Sequence, residues 1–95
     1  MAKGYWIGRA DISNATAYKA YVEANGAAFS KYGARFLVRG GAHEAREGSP
    51  RARQVIIEFA DYATALACYD SPEYARAKAL REGAAVMDLV IVEGV

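Results

Sequence analysis

Ninety-five residues carrying a net charge of +1, with 54% apolar and 24% charged side chains, make one globular domain and exclude a disordered chain. So small a net charge gives no field that would gather nucleic acid, and a lone cysteine, Cys68, excludes an internal disulfide or a metal centre built from thiolates alone. No stretch approaches the roughly 18 apolar residues of a membrane span, and Met1-Ala2-Lys3-Gly4 enters a strand pattern with no leader signature, so the expected compartment is the reducing cytoplasm.

Tyr5 to Ala10 reads as a first strand, and Asp11 to Asn14 punctuates it. Ser13 or Asn14 can cap the next element by accepting from an unpaired N–H of its first turn. Tyr18, Tyr21, Val22, Asn25, Phe29 and Tyr32 recur at steps of three and four. That spacing predicts one face of a helix over 15–31, ended by Gly33. Ala34 to Arg39 is a second strand, followed by a Gly- and Arg-rich connection, and Gln54 to Phe59 is a third. Asp61 can cap a second helix whose inner face carries Leu66 and Tyr69. Ser71-Pro72-Glu73 restarts a helix to about Glu82, with Ser at the cap, Pro in the first turn and an acid beside it. Val86 to Val92 is the last strand.

The order is βαββαβ over a single domain, 1–95. It predicts an α+β ferredoxin-like sandwich with a four-stranded antiparallel sheet and two helices on one face. An internal echo aligns Ile7-Gly8-Arg9-Ala10-Asp11 with Ile57-Glu58-Phe59-Ala60-Asp61. It sets Ile7 beside Val55, Ile57 and Phe59 on the helix side, with Leu89 and Ile91. Trp6, Gly8, Ile56, Glu58, Asp88, Val90 and Val92 then face away. Such an apolar outer face marks an interface or groove, and burying it against a second copy predicts a homodimer.

Several side chains can carry chemistry. Arg35 and Arg39 share strand parity and would form a fork for a carboxylate or phosphate, or would pair with strand acids. Arg53 stands at the mouth of the third strand. Glu58 interrupts an apolar run: in a chamber it would hold a proton near neutrality, while an ion pair to Arg35, Arg39 or Arg53 explains it equally well. Asp88 is its counterpart in the last strand. His43 is the single histidine, a loop base that can hang over the chamber mouth or stand in solvent. Trp6 can stack on a flat ligand or fill a seam. Glu58 and His43 are thus the catalytic candidates, and Arg35, Arg39, Trp6, Asp88 and Arg53 the binding ones. His43 with Glu44 lacks the spaced partners of a metal site. The third strand, Arg53-Gln54-Val55-Ile56-Ile57-Glu58-Phe59, has one aromatic residue and an acid where an RNA-binding sheet would need aromatic and basic groups.

Gly4-Tyr5-Trp6, the run Tyr32-Gly33-Ala34-Arg35-Phe36-Leu37-Val38-Arg39-Gly40-Gly41, Ile57-Glu58-Phe59, Tyr69-Asp70-Ser71-Pro72-Glu73-Tyr74 and the C-terminal Asp88 to Gly94 resemble the DUF1330 family of uncharacterised bacterial proteins, over nearly the whole chain. The early helix departs from the family's pattern at Gly26-Ala27, where a proline is common. The resemblance places the chain in the dimeric α/β-barrel superfamily, in which two ferredoxin-like sheets face each other across a dimer. It implies a pocket between the dimer sheets and, from the superfamily's cofactor-free members, a small-molecule isomerase or oxygenase needing no cofactor. A non-catalytic small-ligand-binding or structural homodimer is the alternative.

Overall fold

A computed structural model describes residues 2–95; Met1, part of the N-terminal reading above, lies outside them. The chain runs β1 (Gly4–Ile12), α1 (Ala15–Lys31), β2 (Arg35–Arg39), β3 (Arg53–Phe59), α2 (Tyr62–Tyr69), α3 (Pro72–Leu80) and β4 (Ala85–Glu93). The strands form one antiparallel sheet in the order β2-β3-β1-β4.

Each helix starts where a short polar side chain satisfies a free N–H. Asn14 accepts from Ala17 at 3.1 Å, Asp61 from Thr64 at 2.8 Å and Ser71 from Tyr74 at 3.1 Å. Pro72 then sets the first turn of α3, with Glu73 at its positive end. α1 and α3 pack side by side, and α2 lies against β1, β3 and β4. Gly4 is needed at the start of β1 because a Cβ there would overlap the backbone of Asp61 and Tyr62.

The core lies between the helices and one sheet face. Trp6, 1% exposed, is its centre. Its ring meets Tyr74 at 4.9 Å, Phe29 at 5.2 Å, Phe59 at 5.4 Å and Tyr69 at 5.7 Å between centroids, mostly edge-on, the arrangement aromatic quadrupoles favour. Its indole N–H donates to the Ala65 carbonyl at 2.8 Å, so the one polar atom of the ring is satisfied in the interior.

Five expectations need correcting. The fold is α+β and ferredoxin-like, but it has three helices, not two, because Ser71 and Pro72 break the second crossover into α2 and α3. The sheet is open: β2 and β4 are its edges, and they do not pair with each other. The dimeric α/β barrel expected from the resemblance is therefore not the architecture of this chain, whose four-stranded sheet stays open. The face of β1 is also reversed. Trp6 pairs with Ile57 and Ile91, and Ile7 with Ile56 and Val90, so Trp6 and Gly8 look towards the helices and Ile7 looks away. Volume decides this: burying the indole removes far more apolar surface from water than burying an isoleucine. In α2 the inner positions belong to Ala65 and Cys68, while Leu66 is exposed.

β2 holds the fifth correction. Arg35 lies opposite Glu58 and Phe36 opposite Ile57, but Val38 then lies opposite Ile56, so Leu37 is one residue extra. This bulge shifts the alternation. Arg35 stays on the open face with Glu58, whereas Arg39 falls opposite Val55 on the helix side. The two arginines do not form a fork.

Candidate functional site

Between α1 and the sheet the core does not close completely. A cavity of about 30 Å³ remains there, room for a water molecule or two. Its floor includes Gly8, whose missing side chain leaves space opposite α1, with Val55, Ile57 and Leu89 around it. Its roof is the α1 face carrying Tyr18, Tyr21, Asn25 and Phe29. Two cations stand at one end. The Arg39 guanidinium lies 4.1 Å from the centre of the Phe36 ring, and that of Arg53 lies 5.8 Å from the Tyr18 ring, both within the range of cation–π attraction.

Two polar groups of the wall are notable. Asn25 is only 5% exposed on an otherwise apolar helix face. The Nε of Arg53 is buried and has no hydrogen-bond partner, an arrangement that costs free energy until an acceptor arrives. Burial pushes the Tyr18 phenol up and its neighbour Tyr21 adds to this, while Arg53 pulls it partly back. Deeper in, the hydroxyls of Tyr21 and Tyr74 bond to each other at 2.8 Å. Burial drives the Tyr74 phenol far upward, and the Arg81 guanidinium sits 5.2 Å from the Tyr21 ring. The wall carries neither a carboxylate nor an imidazole.

Of the residues singled out in the sequence, Trp6, Arg39 and Arg53 meet at this cavity. Glu58 and Arg35 lie on the opposite face. Glu58 accepts from the Tyr5 hydroxyl at 3.0 Å, and among the described residues it forms no ion pair within 4 Å with Arg35, Arg39 or Arg53. The hydrogen bond to Glu58 is the main reason the Tyr5 phenol is raised. Asp88 is also on that face and pairs with Arg51 at 3.0 Å; Arg51 reaches Asp11 as well, at 2.9 Å. Asp11 further accepts from the Ala52 N–H at 3.0 Å, and these bonds hold its carboxyl below the usual range. The clip ties the end of the 40–52 connection to β1 and β4. His43 stands within that connection, its Nδ1 3.0 Å from the Gly41 carbonyl, in a hollow shared with Arg9 and Gln54.

Sequence reasoning missed Asn25, Tyr18, Tyr21 and Gly8 as members of the site. Asn25 left a readable signal, a polar residue at an inner position of a helical stripe. Gly8 left another, a glycine inside a strand. Among the described residues no three His, Cys, Asp or Glu side chains gather as a metal site, and no helix is long and apolar enough to cross a membrane. Cys68 is buried, and burial pushes its thiol up to about 12, with Glu73 adding to the effect.

The family model for DUF1330, a domain of unknown function, matches residues 3–95. No curated protein matches the chain. Among solved structures, the RPA0582 protein of unknown function from Rhodopseudomonas palustris is 19% identical with a TM-score of 0.78, over 99% of this chain and 83% of that one. SnoaB, a cofactor-independent oxygenase from Streptomyces nogalater, is 9% identical with a TM-score of 0.63, over 97% of this chain and 92% of its own. A dimeric ferredoxin-like protein of unknown function from Thermobifida fusca is 19% identical with a TM-score of 0.52, over 99% and 92%. At these identities the likeness is one of fold.

Proposed function

The chain belongs to the DUF1330 family, and from its cavity we propose that it binds a small oxygenated organic anion beneath α1 and isomerises or oxygenates it without a cofactor. The observation that carries this is the buried, unpartnered Nε of Arg53 on the wall of an apolar cavity that also holds Arg39 and Asn25. A guanidinium offers a carboxylate, phenolate or enolate two directed N–H groups, and an apolar surround strengthens that attraction. With no carboxylate or imidazole on the wall, the substrate must supply its own acidity, so acidic phenols, quinols and enols fit best. Arg53 and Asn25 would hold the anion, and Trp6 and Phe29 would exclude water. Reprotonation of the bound anion at a second carbon is isomerisation. Transfer of its electrons to dioxygen, with formation of a C–O bond and uptake of a proton by the resulting peroxide, is oxygenation. The fold shared with SnoaB, itself a cofactor-independent oxygenase, agrees with the second route.

A rival reading has one specific support: about 30 Å³ is less than any such substrate needs, which suits a non-catalytic domain with a sealed interior. A thermal-shift panel of benzoate, acidic phenols and quinols separates the two. Saturable stabilisation in the wild type that disappears in Arg53→Gln supports the binding site, because a ligand that prefers the folded state raises its melting temperature. No response to any member at millimolar concentration favours the sealed domain.

The open face of the sheet bears on partners. Val90 is 58% and Val86 57% exposed, with Leu37 at 46%. A homodimer that covers them belongs to the proposal, in keeping with the shared fold of the dimeric Thermobifida fusca protein. Light scattering at micromolar protein should give twice the chain mass; the mass of one chain would remove this part. A cytoplasmic setting completes the proposal and rests on the single free Cys68.

A further inference from the structure

Arg53 belongs to two spaces at once. On one side it walls the cavity beneath α1. On the other it lines an open hollow of about 310 Å³ with Ala10, Ile12, Gly40 and Ala52. We infer that Arg53 is the gate of the cavity: its side chain separates interior from hollow, captures a small anion in the hollow, and admits it by swinging aside.

The seat of the gate is built for a movable side chain. The guanidinium rests against Gly40 in the very space a Cβ would fill, and Gly40 has a φ of +68°, a conformation glycine adopts without strain. Its inner side lies over the Tyr18 ring. The buried Nε bonds to nothing, and among the described residues no carboxylate holds Arg53 within 4 Å. A stacking contact on one side and a glycine on the other keep the side chain in place without locking it. The backbone beside it is firmer: Gly40 N–H donates to the Gln54 carbonyl at 2.8 Å, and Arg51 and Ala52 are tied to Asp11. The side chain is thus the movable part. Selection follows from the chemistry: a cation that must be displaced, yet keeps hold of its visitor, favours anions over neutral molecules of equal size.

The gate rests on the proposed function only for its purpose, and its opening can be measured without a ligand. Trp6 is the single tryptophan, is 1% exposed and lines the cavity, so collisional quenching by acrylamide, a neutral molecule, reports entry. Arg53→Ala should raise the quenching constant about two- to fivefold, the ratio that corresponds to loss of one cation–π contact holding a closed state. Arg53→Lys should fall between it and the wild type. Arg39→Ala, which removes the other cation of the wall, should leave it near the wild-type value. Urea midpoints would confirm that each variant is folded; should Arg53→Ala not fold, Arg53→Lys decides, with raised quenching in favour and unchanged quenching against. Unchanged quenching in folded Arg53→Ala, or an equal rise in Arg39→Ala, overturns the gate. Benzoate in a parallel thermal shift tests the binding reading separately: an open gate with no benzoate response would leave the gate and remove the ligand.

Discussion

The two faces of one sheet have been put to opposite uses. The face towards the helices carries Trp6, Ile57 and Phe59, all at most 3% exposed, and its indole N–H donates to the Ala65 carbonyl within the interior. The face away carries Tyr5, Ile7, Glu58 and Val90, and its polar groups pair at the edge of solvent. The same strands supply both faces, and what covers each face decides how its groups are held. Beneath the helices a displaced atom leaves a void or an orphaned polar group. On the open face water refills the space and solvates whatever is left.

The sharpest way to break this comparison is a matched pair of truncations on adjacent residues. Trp6→Ala should cost about 3–5 kcal/mol in urea unfolding, the range for an aromatic removed from a packed core. Ile7→Ala, one residue on and on the other face, should cost about 1 kcal/mol or less, since only part of its surface is buried. Equal losses would show that the open face is covered in solution.

A smaller effect sharpens the account of the helix side. Tyr74→Phe keeps the ring and deletes one hydroxyl of the Tyr21–Tyr74 pair, stranding the Tyr21 hydroxyl in the core. It should cost about 1–3 kcal/mol, the range for an unsatisfied buried polar group. A neutral result would mean that water reaches the pair.

The open and rim regions should dominate the response to acid. Asp11 is lowered by bonds from Ala52 and Arg51, Asp61 by its cap on Thr64, and Glu73 by Lys31 at 3.0 Å. In each case the folded value lies below the unfolded one. The unfolded chain therefore binds more protons as pH falls, so the stabilisation is complete above the ordinary carboxylate range and is lost as pH drops through the folded values. Urea midpoints should be flat from neutrality to about pH 5 and fall below about pH 4. Asp11→Asn should lower the plateau slightly and flatten the fall. A fall already under way at pH 6 would point to another group.

The smallest effect is expected at Glu58. Without an ion-pair partner, and with Tyr5 able to find water, Glu58→Gln should stay within about 0.5 kcal/mol of the wild type, as ordinary surface substitutions do. A loss of about 2 kcal/mol or more would mean that an arginine reaches Glu58 in solution.

Much of this was legible in the chain. Asn14, Asp61 and Ser71 announce their helices because capping is local chemistry between residues three apart. The echo sets Val55, Ile57 and Phe59, with Leu89 and Ile91, on the helix side, where they lie. β1 does not alternate: Tyr5, Trp6 and Ile7 are all apolar, and the echo with residues 57–61 aligned Ile7 with Ile57, whereas the sheet pairs Ile57 with Trp6. The partner that buries the indole best is a tertiary fact. The cavity was hidden for the same reason. It is made of what is missing at Gly8 and of two arginines from different strands, and strand alternation alone put Arg39 on the wrong side.

The extra residue at Leu37 makes β2 a counting device. Arg39 reaches the cavity only because one position is spent without a partner on β3. Removing that position would keep both arginines of the strand and deliver the last of them to the opposite address, outside instead of in. The length between Phe36 and Arg39 therefore matters to the cavity as much as the identity of Arg39 itself. An alignment that slides a gap across this strand would assign the cation to the wrong side of the molecule without changing a single letter.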